Sequence, residues 1–305
     1  MLDGVIALWF ILSFLSVAFV AFDCITNSPV SWVQKLAWLL VTLYTGPVAL
    51  FFYLLSCRRP VPGTHDLFTR ATWKQALNSE MHCLAGDATG VLLAATLTTT
   101  LALSSGVDLV VEYVAGFVCG LFIFQALMML PMYGGQYWTA VRKTFFAETV
   151  SMNFVMAGMF PVMLLMMSSI EGAMEASSPR FWFSMSMATL MGGVVAFPVN
   201  HWLVSSHLKH GCMTLPGADR PAPGLGHKSS EGDESADMSH AHAAHGHGMH
   251  GGGSDPGDSM PDSEDHESME MGSIPRSRSA LAVILSLALM LAATALTSLA
   301  APIRF

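Results

Sequence analysis

Long apolar blocks alternate with short polar breaks along the chain. The blocks cover residues 2–22, 32–56, 81–103, 107–130, 146–170, 181–204 and 280–301. Each offers roughly the 20 residues that a helix needs to cross the hydrocarbon core of a bilayer. Period-two alternation is absent, so a barrel is disfavoured, and only helices and closed barrels satisfy their backbone groups in lipid. The pattern predicts an all-α fold, a polytopic transmembrane bundle of about seven helices. No basic n-region precedes the first block and no A-x-A-like site follows it, so it reads as a retained helix rather than a signal peptide. Cleavage would leave six helices in the same remaining orientation. Gly46-Pro47 inside the second block predicts a kink.

The polar breaks divide the chain further. Residues 1–56 hold two N-terminal helices, 57–80 a connector, 81–204 a four-helix membrane core, 205–279 a low-complexity linker and 280–305 the last helix. The linker lacks apolar residues to bury and is expected to be disordered.

Composition sharpens the membrane reading. The 305 residues are 52% hydrophobic and 12% charged, whereas a soluble domain carries about 25% charged residues. Lys and Arg set the orientation. With a cytoplasmic N-terminus, the inside segments hold Arg58, Arg59, Arg70, Lys74, Arg142, Lys143, Lys209, Arg220, Lys228, Arg276 and Arg278, against Lys35, Arg180 and Arg304 outside. This predicts a multi-pass protein of the inner (plasma) membrane, with the N-terminus and linker cytoplasmic and the C-terminus outside. The net charge of −8 is largely linker acidity, and no nucleic-acid signature is present. The five cysteines are scattered, with no CxxC pair and no disulfide framework.

The linker carries the strongest local signal, with His240, His242, His245, His247 and His250 inside eleven residues. Imidazole suits zinc, copper and nickel, and the thioethers of Met238, Met249, Met260, Met269 and Met271 add a preference for cuprous copper. The plain alternative is a biased linker with weak, unselective metal binding. The third block opens Glu80-Met81-His82-Cys83-Leu84-Ala85-Gly86-Asp87. An Asp at membrane depth is costly and faces a bundle interior or water. Cys83 and Asp87 are four apart and share a helix face, whereas His82 lies about 140° from Asp87. Glu148 and Asn153, with Asn200 and His201, fall toward the same ends of their helices, which predicts one polar cluster. Asn and His at helix ends also serve as interhelical glue. Met152, Met156, Met159 and Met163 follow a 4-3-4 helical stripe, read first as plastic packing. No nucleophile–base arrangement marks an enzyme.

The segment His82-Cys83-x-Ala85-Gly86-Asp87-x-x-Gly90 resembles a bacterial and archaeal family of integral membrane proteins, the DUF4396-type family of unassigned activity. So do Arg180-Phe181-Trp182-Phe183-x-Met185, Gly192 and Pro198-Val199-Asn200-x-Trp202-Leu203. The resemblance covers about residues 73–208 and implies a membrane fold, with His82, Cys83, Asp87, Asn200 and Trp202 as signature positions. It implies no reaction.

These readings combine into an expectation of a protein that handles or transports a transition-metal cation, copper first, with zinc, nickel or cobalt open. The expected metal ligands are His82, Cys83, Asp87 and His201 in the membrane and His240, His242, His245, His247 and His250 in the linker. The expected partners are the bilayer and a metal ion, without nucleic acid. The rival is a non-transporting scaffold or assembly factor with an incidental linker.

Overall fold

The computed structural model describes residues 1–58, 61, 64–101, 103–211 and 275–303, and no β-strand occurs among them. The helices are α1 (Leu2–Thr26), α2 (Trp32–Thr45), α3 (Pro47–Ser56), α4 (His65–Thr69), α5 (Thr72–Thr100), α6 (Ser105–Val118), α7 (Ala126–Met129), α8 (Tyr137–Ser169), α9 (Pro179–Ser205) and α10 (Arg276–Ser298). A π-helical segment, Cys119–Gln125, joins α6 to α7 without a break. Among the described residues, α1, the continuous Ser105–Met129 rod, α8, α9 and α10 are long and apolar enough to cross a membrane. The fold is an all-helical membrane bundle.

The central helix is α5. Its 29 residues reach about 44 Å, but its composition is too polar for lipid. Most of it is instead buried in protein between Ala76 and Thr98, with Leu93 and Leu97 left exposed. Its polar face therefore meets other helices rather than hydrocarbon, which is how intramembrane polar groups are accommodated. The outer helices do the reverse. Leu8, Ile11 and Phe14 of α1 and Ile284, Leu285 and Leu291 of α10 are exposed apolar groups, as a lipid-facing surface requires.

The second apolar block, expected to be one kinked spanning helix, is two short helices folded back on each other. Gly46 sits at φ 57°, ψ −131°, a conformation that L side chains resist. Pro47 then starts α3, where a missing N–H costs nothing. The 14 residues of α2 and 10 of α3 fall short of the roughly 20 needed to cross. The legs close at one end of the bundle. Trp38 and Tyr53 have ring centroids 5.4 Å apart. Asn78 of α5 accepts from Trp38 Nε1 at 3.2 Å and donates to the Ser56 carbonyl at 3.0 Å. The tip is enclosed by protein: Tyr44 Oη pairs with Thr89 Oγ1 at 2.8 Å, and Ser186 Oγ donates to the Tyr44 carbonyl. Non-helical backbone at such depth survives only when buried this way.

The hairpin reverses α1. Asp23, near the end of α1, accepts from Tyr53 Oη at 2.8 Å and Arg58 Nε at 3.2 Å, so this end lies with the connector. Asp3, at the other end, pairs with Arg180 at 3.0 Å at the start of α9. The N-terminus therefore lies with the α8–α9 turn, opposite residues 57–71. This corrects the expected arrangement, which counted block two as a crossing. At the connector end, Trp32, Trp73, Trp138 and Trp202 are exposed, a girdle of the kind found at a membrane interface.

Candidate functional site

Four polar side chains of α5 are buried within eight residues: Glu80, His82, Cys83 and Asp87. Glu80, Cys83 and Asp87 are spaced i, i+3, i+7 and line one helix face. That face is covered because glycines let neighbouring backbones close on it. A Cβ at Gly86 would stand 2.7 Å from the Gly120 Cα, and one at Gly90 would run into the Ala115 carbonyl. Gly86 and Gly90 thus pack against Gly116 and Gly120, small residues spaced four apart on both partners, a common device for close approach in membranes.

Gly120 also makes room for chemistry. It lies in the π-helical segment, a distortion frequent at functional sites. A Cβ there would collide with Asp87 Oδ1 and would lie 2.6 Å from Glu148 Oε1. Two carboxyl groups, one from α5 and one from α8, therefore converge on the space a side chain would fill. Neither Asp87 oxygen has a hydrogen-bond partner, nor does Glu148 Oε1. Glu148 Oε2 faces the Cys83 thiol at 3.1 Å, and the amide oxygen of Gln125 lies 3.3 Å from the same sulfur. His82 Nδ1 is 3.4 Å from Cys83 Sγ.

The counter-charge comes from beyond α9. The helix ends in a Schellman turn: Leu208 N–H bonds the Leu203 carbonyl at 2.9 Å and His207 N–H the Val204 carbonyl at 3.1 Å, with His207 at φ 56° as the left-handed residue. Leu208 packs with Leu203 and Ala147. The chain is thereby turned back and Lys209 enters the bundle, 3% exposed. Its Nζ donates to Asn200 Oδ1 at 2.5 Å and to Ser151 Oγ at 3.2 Å, while Ser151 Oγ donates to Asn200 Oδ1 at 3.0 Å. Burial opposes the ammonium charge, and the surrounding Cys83, Glu148 and Asp87 more than offset it, so the Lys209 pKa is held above its ordinary value.

The expected residues are thus distributed unevenly. Cys83, Asp87, Glu148 and Asn200 come together, with His82 at the edge. Asn153 belongs to a separate network, accepting from Tyr113 Oη at 2.8 Å and donating to Ser286 Oγ of α10 at 2.9 Å. His201 is half-buried beside Phe197, ring centroids 6.2 Å apart, and it is Asn200 that enters the cluster. His240, His242, His245, His247 and His250 lie outside the described residues. Among the described residues, no group of three His, Cys, Asp or Glu side chains is arranged to hold a metal ion. The residues that sequence reasoning missed are Lys209, counted there only as an orienting charge, Gln125, Ser151 and Glu80. The i, i+3, i+7 spacing with Cys83 and Asp87 was a readable signal for Glu80.

Residues 72–209, which contain every side chain of this cluster, match the family described as Domain of unknown function (DUF4396), in agreement with the resemblance carried by the Cys83–Asp87 and Asn200 motifs. No curated protein and no solved structure matches the chain.

Proposed function

We propose that this DUF4396-like membrane protein handles a cation inside its helix bundle, with the Asp87–Glu148 carboxyl pair as the exchangeable site. One observation carries the reading: two buried carboxyl groups converge on Gly120 with three of their four oxygens unpartnered. Like charges this close repel, and a proton or cation between them relieves the repulsion. Lys209 supplies an internal positive charge that substitutes for the cation when the site is empty. Intramembrane acids of this kind mark ion pathways and proton relays. The surplus of positive residues at the connector end, Arg58, Arg70, Lys74, Arg142 and Lys143 against Arg180 at the other, supports a cytoplasmic connector. With α1 reversed, the N-terminus lies outside, and Glu148 sits in the connector-side half of α8.

A transition metal is the more specific cargo, favoured by the Cys83 sulfur beside Glu148 and by the histidines and methionines of residues 238–271. Copper leads, with zinc, nickel and cobalt as rivals. In that version the linker collects the ion, and Cys83, Asp87 and Glu148 must rearrange to hold it. The scaffold reading draws on the lack of a preformed three-ligand group among the described residues. Elemental analysis of purified protein tests the transition-metal cargo, and cation flux in proteoliposomes separates transport from the scaffold. Copper or zinc that persists after deletion of residues 212–274 and disappears in Asp87→Asn supports the metal version. Metal lost with the deletion alone restricts the reading to protons or monovalent ions.

A further inference from the structure

A second site lies about two turns before Asp87 along α5. The two legs of the hairpin, α5 and α9 enclose a cavity of about 250 Å³, walled by Val41 and Phe52, Leu84, and Val194 and Phe197. Its wall contains one charged residue, Glu80. That carboxyl group is 1% exposed, and neither of its oxygens has a hydrogen-bond partner. The Lys209 ammonium acts on it through space, while its hydrogen bonds go to Asn200 and Ser151. Gly193, also in the wall, is the window between cavity and carboxyl: a Cβ there would stand 3.6 Å from Glu80 Oε1 and 3.2 Å from Leu84 Cδ2. An apolar chamber with one hidden, unpartnered acid reached past a glycine has a definite chemical complement.

We infer that this cavity binds a primary ammonium group carried on a single hydrocarbon chain, with the ammonium at Glu80 and the chain along the hairpin and α9. The apolar walls match the chain, and the carboxylate selects a cation over a neutral lipid. A compact ammonium fits the space left by Gly193, whereas a bulkier quaternary head does not. Val194 is 68% exposed, which places the entrance on the lipid-facing side of α9. The site is independent of the Asp87–Glu148 pair, since it needs neither residue.

The test is saturable binding of radiolabelled decylammonium to the full chain in phosphatidylcholine nanodiscs, which contain no lipid with a primary ammonium head. One site per chain is expected, with Glu80→Gln weakening it at least tenfold. Val194→Trp, which blocks the entrance from an exposed position, is expected to do the same, and it decides the matter should Glu80→Gln fail to fold. Asp87→Asn retains the site, which separates this inference from the cation reading. Decanol, the neutral isostere, does not compete. Adding lysophosphatidylethanolamine, a single-chain lipid with a primary ammonium head, and finding competition identifies a lipid headgroup, rather than a free amine, as a source of the same chemistry. The inference is overturned by an absence of saturable binding, by undiminished binding in folded Glu80→Gln, or by equal competition from decanol.

Discussion

Asp3 and Arg180 lie 3.0 Å apart, tying the first turn of α1 to the first turn of α9. The pair is exposed, 77% on the Asp side, so it contributes under about 1 kcal/mol. Its value is positional. It places the N-terminus with the α8–α9 turn, which holds only if residues 32–56 return to the side they left. Single cysteines at Gly4, Glu175 and Gln136 test this with an impermeant thiol reagent in sealed vesicles. Gly4→Cys and Glu175→Cys are expected to label from one side and Gln136→Cys from the other. Labelling of Gly4→Cys and Gln136→Cys from the same side would restore a spanning second helix.

The hairpin depends on Gly46. Gly46→Ala forces a side chain into a glycine conformation, at a cost of about 1–3 kcal/mol, and directs its Cβ at Ser13 Oγ. Thermal unfolding in detergent is expected to show the loss. Adding Ser13→Ala removes the steric part and leaves the backbone part, so the double variant recovers only partly. Full recovery would mean that the dihedral strain is absent.

Gly120→Ala is expected to push Asp87 and Glu148 apart while the fold persists, because the clash is with side-chain oxygens rather than backbone. Cation uptake should fall by about tenfold, equivalent to about 1.4 kcal/mol. Gly4→Ala, in open space, should leave uptake unchanged. Equal uptake in Gly120→Ala would separate the carboxyl pair from transport.

Lys209→Met removes the ammonium that acts through space on the buried acids and breaks its hydrogen bonds to Asn200 and Ser151, so it is expected to destabilise the fold. Glu148→Gln removes one of those acids. The double variant is therefore expected to be more stable than Lys209→Met alone, with a coupling energy of about 0.5–3 kcal/mol. Additive losses in denaturation experiments would show that Lys209 and Glu148 do not sense each other.

The bundle was legible because block length and hydropathy report directly on lipid contact. The hairpin was not. Residues 32–56 are long enough to cross, and the same Gly46-Pro47 pair writes either a kink or a reversal. The difference lies in Asn78, which bridges Trp38 and Ser56 and is remote in sequence from both. Within the site, Cys83 and Asp87 share a face by helical spacing alone, and Glu148 and Asn200 join them because their helix ends fall at one depth. Lys209 was hidden because its entry depends on the left-handed turn at His207, a conformation that a non-glycine residue does not advertise. Asn153 and His201 were misplaced by a single rotation around their helices, which depth does not fix.

The most direct measurement is cation uptake into proteoliposomes by the wild type, Asp87→Asn and Glu148→Gln, with copper, zinc and a proton-sensitive dye as separate readouts. The account predicts flux of at least one cation in the wild type, lost in both variants although each remains folded by circular dichroism. Wild-type flux that survives both substitutions, or no flux of any cation in a folded, correctly inserted protein, would contradict it.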